Sequence, residues 1–198
     1  MTSRGAGRGC WRLASRRICA TSGRLNSGGG SFPLLKSSDL ANQATPARAV
    51  IVPQRKIGEE TAHLAREAPM LWRYLLSHRA LFSARKSTIY KAQPDFAIFG
   101  VGPYSFAPWK VAISGLYKRL QFALVGPCGG KPTLLDDTCY FLPFEREADA
   151  RRAMHALASD DARAFFEARV FWDAKRPITK AVLQQLDLQR LLLLSTHV

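Results

Sequence analysis

Paired cysteines, long apolar runs and, through most of the chain, acidic side chains are what this 198-residue sequence has least of. Its four cysteines, Cys10, Cys19, Cys128 and Cys139, form no Cys-x-x-Cys pair, and no histidine stands near them at zinc-ligand spacing. This pattern supports neither a metal site nor a disulfide framework, and the four read as free thiols in a reducing cytoplasm. No apolar run approaches the roughly 20 residues needed to cross a bilayer, so no membrane partner is expected.

The scarcity of acids is uneven. Asp39, Glu59, Glu60, Glu67 and Asp95 are the five acids of residues 1–131, where 20 Lys and Arg are found. Residues 132–198 hold 10 acids and 9 cations, so the whole formal charge of +14 belongs to the first two thirds. Such asymmetry suggests a polyanion-facing half and a neutral supporting half. Removing the six cations of the N-terminal stretch still leaves residues 36–131 with 14 basic and 5 acidic side chains.

Residues 1–31 carry Arg4, Arg8, Arg12, Arg16, Arg17 and Arg24, no acid, and the run Gly28-Gly29-Gly30. So little apolar surface cannot offset the entropy of ordering the backbone, and the stretch is expected to be a disordered basic tail. An organelle transit peptide shares its Arg- and Ser-rich, acid-free composition. A single domain is expected over residues 32–198.

Within that domain Ala47–Pro53 is a β-branched, apolar run and reads as a strand. Glu59–Ala68 and Met70–Phe82 carry apolar residues near helical spacing, with Pro69 suited to a first helical turn. Short β-like runs follow at Phe96–Val101, Phe106–Ser114, Gln121–Val125, Thr133–Leu135 and Thr138–Leu142, divided by Gly-Pro and Gly-Gly breakers. Their close spacing favours antiparallel or mixed pairing, since each parallel crossover needs a dozen or more residues. Glu147–Ala158 reads as a helix. A second helix is expected to be capped by Asp160 or Asp161 and a last one by Thr179. The fold class is therefore α+β, a mixed or antiparallel sheet flanked by helices.

Catalytic motifs are missing. No two prolines are adjacent, which excludes the Asn/Asp/Ser-Pro-Pro-Tyr/Phe loop that holds a flipped adenine for methyl transfer. Phe99-Gly100-Val101-Gly102 imitates a glycine-rich cofactor loop, but Pro103 follows where a helix should open. Asp95 and the Asp173-Ala174-Lys175 run are too far apart for one nuclease hairpin. Asp136 and Asp137 would point to opposite faces of a strand and would not readily share an ion. His63, His78, His155 and His197 stand apart and read as surface residues.

Two segments carry a binding signal instead. Arg85-Lys86-Ser87-Thr88-Ile89-Tyr90-Lys91 gathers three cations, two hydroxyls and a phenol, the mixture that phosphate and base contacts use; a solvated loop after a helix would look the same. The stretch from Gly100 to Lys118 places Tyr104, Trp109, Lys110 and Lys118 among strand and turn residues that could track a backbone and stack on bases, although Phe106 and Trp109 are better read as core.

A series of blocks then runs in order: Pro33-Leu-Leu-Lys-Ser-Ser-Asp-Leu40, Val52-Pro-Gln-Arg55, Arg85-Lys-Ser-Thr-Ile-Tyr90, Phe96-Ala-Ile-Phe-Gly-Val-Gly102, Trp109-Lys-Val-Ala-Ile-Ser-Gly115, Asp136-Asp-Thr-Cys-Tyr-Phe141 and Lys175-Arg-Pro-Ile-Thr179. Over residues 32–190 it resembles the C-terminal target-recognition region of adenine-specific DNA methyltransferases and restriction-modification enzymes of the TaqI-like and type IIG kind. The resemblance implies binding of double-stranded DNA in a bacterial cytoplasm, with the catalytic domain missing and S-adenosylmethionine entering only through it. The DNA-contacting residues are then expected to be Lys36, Arg55, Arg85, Lys86, Ser87, Tyr90, Tyr104, Lys110 and Lys118, with Lys175 and Arg176 closing the groove or capping a helix. The resemblance places Lys36 near the junction with the catalytic domain, so Lys36 and Asp39 would contact DNA or the missing domain equally well. The alternatives are a specificity subunit that completes a separately encoded methyltransferase chain, and a truncated remnant without function.

Overall fold

The computed structural model describes residues 12–13, 20–21 and 30–194. Its first part holds strands β1 (Arg12–Leu13), β2 (Ala20–Thr21), β3 (Ser31–Leu35) and β4 (Arg48–Ile51), with helix α1 (Ser37–Ala41) between the last two. Helices α2 (Leu64–Glu67), α3 (Pro69–Ser77) and α4 (Arg79–Ser83) follow. Strands β5 (Trp109–Ser114), β6 (Phe122–Val125), β7 (Leu134–Leu135) and β8 (Cys139–Phe144) come next. Helices α5 (Glu147–Leu157), α6 (Asp160–Glu167), α7 (Lys180–Leu183) and α8 (Leu188–Leu194) complete the described chain.

The strands form two four-stranded sheets. One has the order β1-β8-β5-β6 and is antiparallel throughout. The other has the order β2-β4-β3-β7, antiparallel except where β3 runs parallel to β7. The expected α+β class with mixed pairing is what is found. Most of the basic tail assigned to residues 1–31 lies outside the described residues, and two dipeptides of it supply the edge strands β1 and β2.

Side-chain alternation explains why β5 reads as an unbroken apolar run. Val111 and Ile113 face one core with Phe122, Tyr140 and Leu142, against which α5 and α6 bring Ala150, Ala153, Ala156 and Phe166. Ala112, between them, faces a second core with Leu35, Leu40, Val125 and Phe141. A sheet buried on both faces has no polar face to show. The alanines of α5 recur at spacing three, and their small side chains let the helix settle closely onto the strands. Its outer face is laced by Arg151–Glu147 and by Arg146 and Arg152 on Asp149, surface pairs that water screens and that add little to stability.

Three expectations are corrected. The run Phe96–Val101 makes no strand: Gln54 Nε2 donates to Ile98 O at 3.0 Å, Arg85 Nη1 to Ala97 O, and Thr61 Oγ1 to Asp95 O. Side chains thus satisfy the carbonyls that a ladder would have taken, and Phe96 adopts a φ of 62° that no strand residue has. Edge-to-face packing of its buried ring on Trp72 and Phe82, with centroids 5.3 and 5.2 Å apart, holds that conformation. The helix expected from Glu59 starts only at Leu64, because Glu59 accepts from the backbone N–H of Arg55 and Lys56 and closes a turn. Helix α6 is capped by Ser159, whose Oγ accepts from Ala162 N at 3.3 Å; Asp160 and Asp161 occupy its first turn. Thr179 does cap α7, and Pro69 does open α3.

Candidate functional site

Helices α3 and α4, the segment 84–90 and the end of β4 enclose a cleft of about 960 Å³. Pro69 fixes where α3 begins, and the helix then presents Tyr74 and His78, four residues apart, to the cleft. Their rings lie 4.4 Å apart, centroid to centroid. After α4 the chain passes through Arg85, Lys86 and Ser87 into a 3-10 turn at Thr88–Tyr90, and all four of Arg85, Lys86, Ser87 and Tyr90 line the cleft. Asp137, from the turn between β7 and β8, and Arg176, from the loop before α7, complete it.

The electrostatic balance of the lining is positive, with Arg85, Lys86 and Arg176 against the single carboxylate of Asp137. Arg85 is the structural member of this set. Its Nε donates to Phe82 O at 3.0 Å, its Nη1 to Ala97 O at 2.5 Å, and its guanidinium lies 3.8 Å over the Tyr90 ring. Burial lowers its pKa below the usual guanidinium value, with Tyr90 acting in the opposite direction. Lys86 and Ser87 are exposed beside it, as is Arg176 across the sequence. The apolar part of the lining includes Leu81, 68% exposed, and Ile89, 40% exposed, an open apolar surface beside exposed cations.

Of the eleven residues singled out from sequence, the cleft gathers Arg85, Lys86, Ser87, Tyr90 and Arg176. The other six do not line it. Lys36 is half-buried at the start of α1, where its backbone N–H donates to Asp39 Oδ2 at 2.8 Å. Asp39 in turn pairs with Arg48 at 3.0 Å. Arg55 is exposed with its guanidinium 5.0 Å from the Phe106 centroid. Tyr104 packs against the second core, and its hydroxyl donates to Gly100 O at 3.0 Å. Lys110 is 1% exposed, with Nζ donating to Ala107 O at 2.6 Å, so the proposed phosphate contact is replaced by a buried one to backbone. Lys118 is exposed between β5 and β6, and Lys175 is exposed beside Arg176.

Tyr74, His78, Leu81 and Asp137 also line the cleft, and their sequence context marks none of them as a site residue. The i,i+4 pair of an aromatic and a histidine at the end of an apolar helical stripe was the available signal. For Asp137 there was none beyond its neighbour's presence.

The glycine loop offers no cofactor cradle. A 3-10 turn at Pro103–Phe106 follows it in place of an α-helix, and the Tyr104 ring lies so close over Gly102 that a Cβ there would sit 2.5 Å from Tyr104 Cε1. With that face of the loop covered, it does not fit S-adenosylmethionine. Among the described residues no group of His, Cys, Asp and Glu is placed to hold a metal ion, and no helix is long and apolar enough to cross a membrane.

No protein-family model matches the sequence. The chain is, however, homologous to part of a type II methyltransferase. That relative is the Type II methyltransferase M.NspV of Nostoc sp., 49% identical over 160 residues that make up 80% of this chain and 33% of the relative. The chain thus spans about a third of the length of the curated relative it matches.

Proposed function

We propose that this chain is the target-recognition part of an adenine-specific DNA methyltransferase of a restriction-modification system, that it binds double-stranded DNA through the cleft, and that it transfers no methyl group by itself. The observation that carries this reading is the convergence of Lys86, Ser87 and Arg176 on one aromatic-lined cleft, from segments about 90 residues apart in sequence. Cations there attract phosphate, while the Ser87 hydroxyl and the rings of Tyr74 and Tyr90 meet sugar and base. Similarity to one third of a type II methyltransferase supports the reading, and the closed glycine loop explains why methyl transfer and S-adenosylmethionine are assigned to a catalytic part outside these residues. That part is supplied by the same polypeptide or by a separate methyltransferase chain.

Binding of a labelled duplex to the full chain, measured between about 50 and 200 mM salt, tests the reading. Affinity is expected to fall steeply with salt. Lys86→Ala and Arg176→Ala are each expected to weaken binding of every sequence alike and to reduce the log–log salt slope by about 1. Salt-independent binding, or variants that bind as tightly as the parent, would sink it.

A further inference from the structure

Asp136 and Asp137 are neighbours in the turn between β7 and β8, but their carboxylates have unlike surroundings. Asp136 Oδ1 accepts from Thr138 N at 3.1 Å, Thr138 Oγ1 at 2.5 Å and Cys139 Sγ at 3.3 Å, which fixes the turn. Asp137 is half-buried on the cleft wall and, among the described residues, accepts no side-chain or backbone hydrogen bond and joins no ion pair, although Arg176 lines the same cleft. It is the one acid in a cationic lining.

A carboxylate aimed at DNA is at a disadvantage almost everywhere, because phosphates repel it and it can only accept hydrogen bonds. In the major groove guanine presents O6 and N7 and thymine presents O4, all acceptors. Only the exocyclic amino groups, cytosine N4 and adenine N6, donate there. Adenine places its N7 acceptor beside N6, which repels the second carboxylate oxygen, whereas cytosine has a carbon-bound hydrogen in the corresponding place. An unpartnered carboxylate among cations therefore discriminates between bases more than it adds affinity.

Resting on the reading that the cleft faces duplex DNA, we propose that Asp137 is a specificity-determining residue that selects cytosine, through N4, at the target position lying over the cleft. Lys86 and Arg176 supply the sequence-independent attraction, and Asp137 makes it conditional on the base.

The test is selection of bound duplexes from a pool with randomised centres, using the full chain, Asp137→Ala and Asp137→Asn, together with a thermal melt of each protein. The parent is expected to enrich cytosine about ten-fold at one position. Asp137→Ala should level that position and leave the others as they were. Asp137→Asn should move it towards adenine, because a carboxamide can pair with N6 and N7 together. Melting midpoints should not move, since the carboxylate holds nothing in the fold. Identical enrichment in all three proteins overturns the proposal, as does a lowered melting midpoint with uniform loss of binding, which would make Asp137 structural. A parent chain that binds no duplex at all overturns the DNA reading and this inference with it. Salt-dependent binding with no cytosine position sensitive to Asp137 overturns this inference alone.

Discussion

The guanidinium of Arg85 lies 3.8 Å over the ring of Tyr90, and the same side chain donates to the carbonyls of Phe82 and Ala97. One cation thereby joins the end of α4, the 3-10 turn at Thr88–Tyr90 and the irregular segment that follows. Removing it leaves the Ala97 carbonyl without its donor and the ring without its cation, while Phe82 O keeps the backbone N–H of residue 85 at 3.2 Å. Arg85→Ala is expected to destabilise the protein by about 1–3 kcal/mol, seen as a lower urea midpoint. Arg85→Lys should recover only part of the loss, since an ammonium cannot stack on the ring and reach both carbonyls at once. An unchanged midpoint for Arg85→Ala would return the residue to the surface role its sequence context suggested.

What made some of the structure legible in the sequence is the physics of burial, and the same physics hid the rest. Strands β5, β6 and β8 were readable because their apolar runs sit between turn residues, and α5 because its alanines keep helical spacing. Phe96–Val101 has the same apolar character for a different reason. Phe96–Ile98 is buried with the carbonyls of Ala97 and Ile98 held by Arg85 and Gln54 and that of the preceding Asp95 by Thr61, and composition cannot tell a ladder from such a tether. The basic segment 85–90 was visible as local composition. The cleft around it was not, because Asp137 and Arg176 reach it from distant parts of the chain, and Tyr74 and His78 are hidden in a helical stripe that looks like core. Lys110 failed for the opposite reason: its charge argued for solvent, while its strand position turned it inward over the Phe141 ring, 5.9 Å away.

Ser37 shows that some of the ordered blocks are joints of the fold. It is buried, and its Oγ lies 2.6 Å from Thr138 Oγ1 and 3.1 Å from Thr138 O, tying the Lys36–Asp39 block to the Asp136–Phe141 block. Ser37→Ala is expected to cost about 1–2 kcal/mol of stability, read from denaturant unfolding with an unchanged slope. Duplex binding well below the melting temperature should stay as it was. Full stability with lost binding would mean instead that this block meets the ligand.

Lys110 sets a pH dependence that can be signed in advance. Burial brings its pKa down from 10.5 to about 8, with Glu145 acting weakly in the opposite direction. Below pH 8 the folded state must hold the ammonium charge in the core, against a preference of about 3 kcal/mol for the unfolded chain. As pH rises through 8 the native lysine releases its proton while the unfolded one keeps it. The unfolded state then binds more protons, so stability rises with pH. The buried thiol of Cys139 works the other way, because burial pushes its pKa above the usual 9.0, and the unfolded thiol ionises first. Between pH 8 and 9 the lysine contributes a rise of about 1 kcal/mol, which ionisation of the unfolded Cys139 thiol offsets in part, so the lysine is read as the difference between the parent chain and Lys110→Met. The parent should gain about 1 kcal/mol relative to Lys110→Met across that window, and identical pH profiles for the two proteins would show that the ammonium is solvated after all.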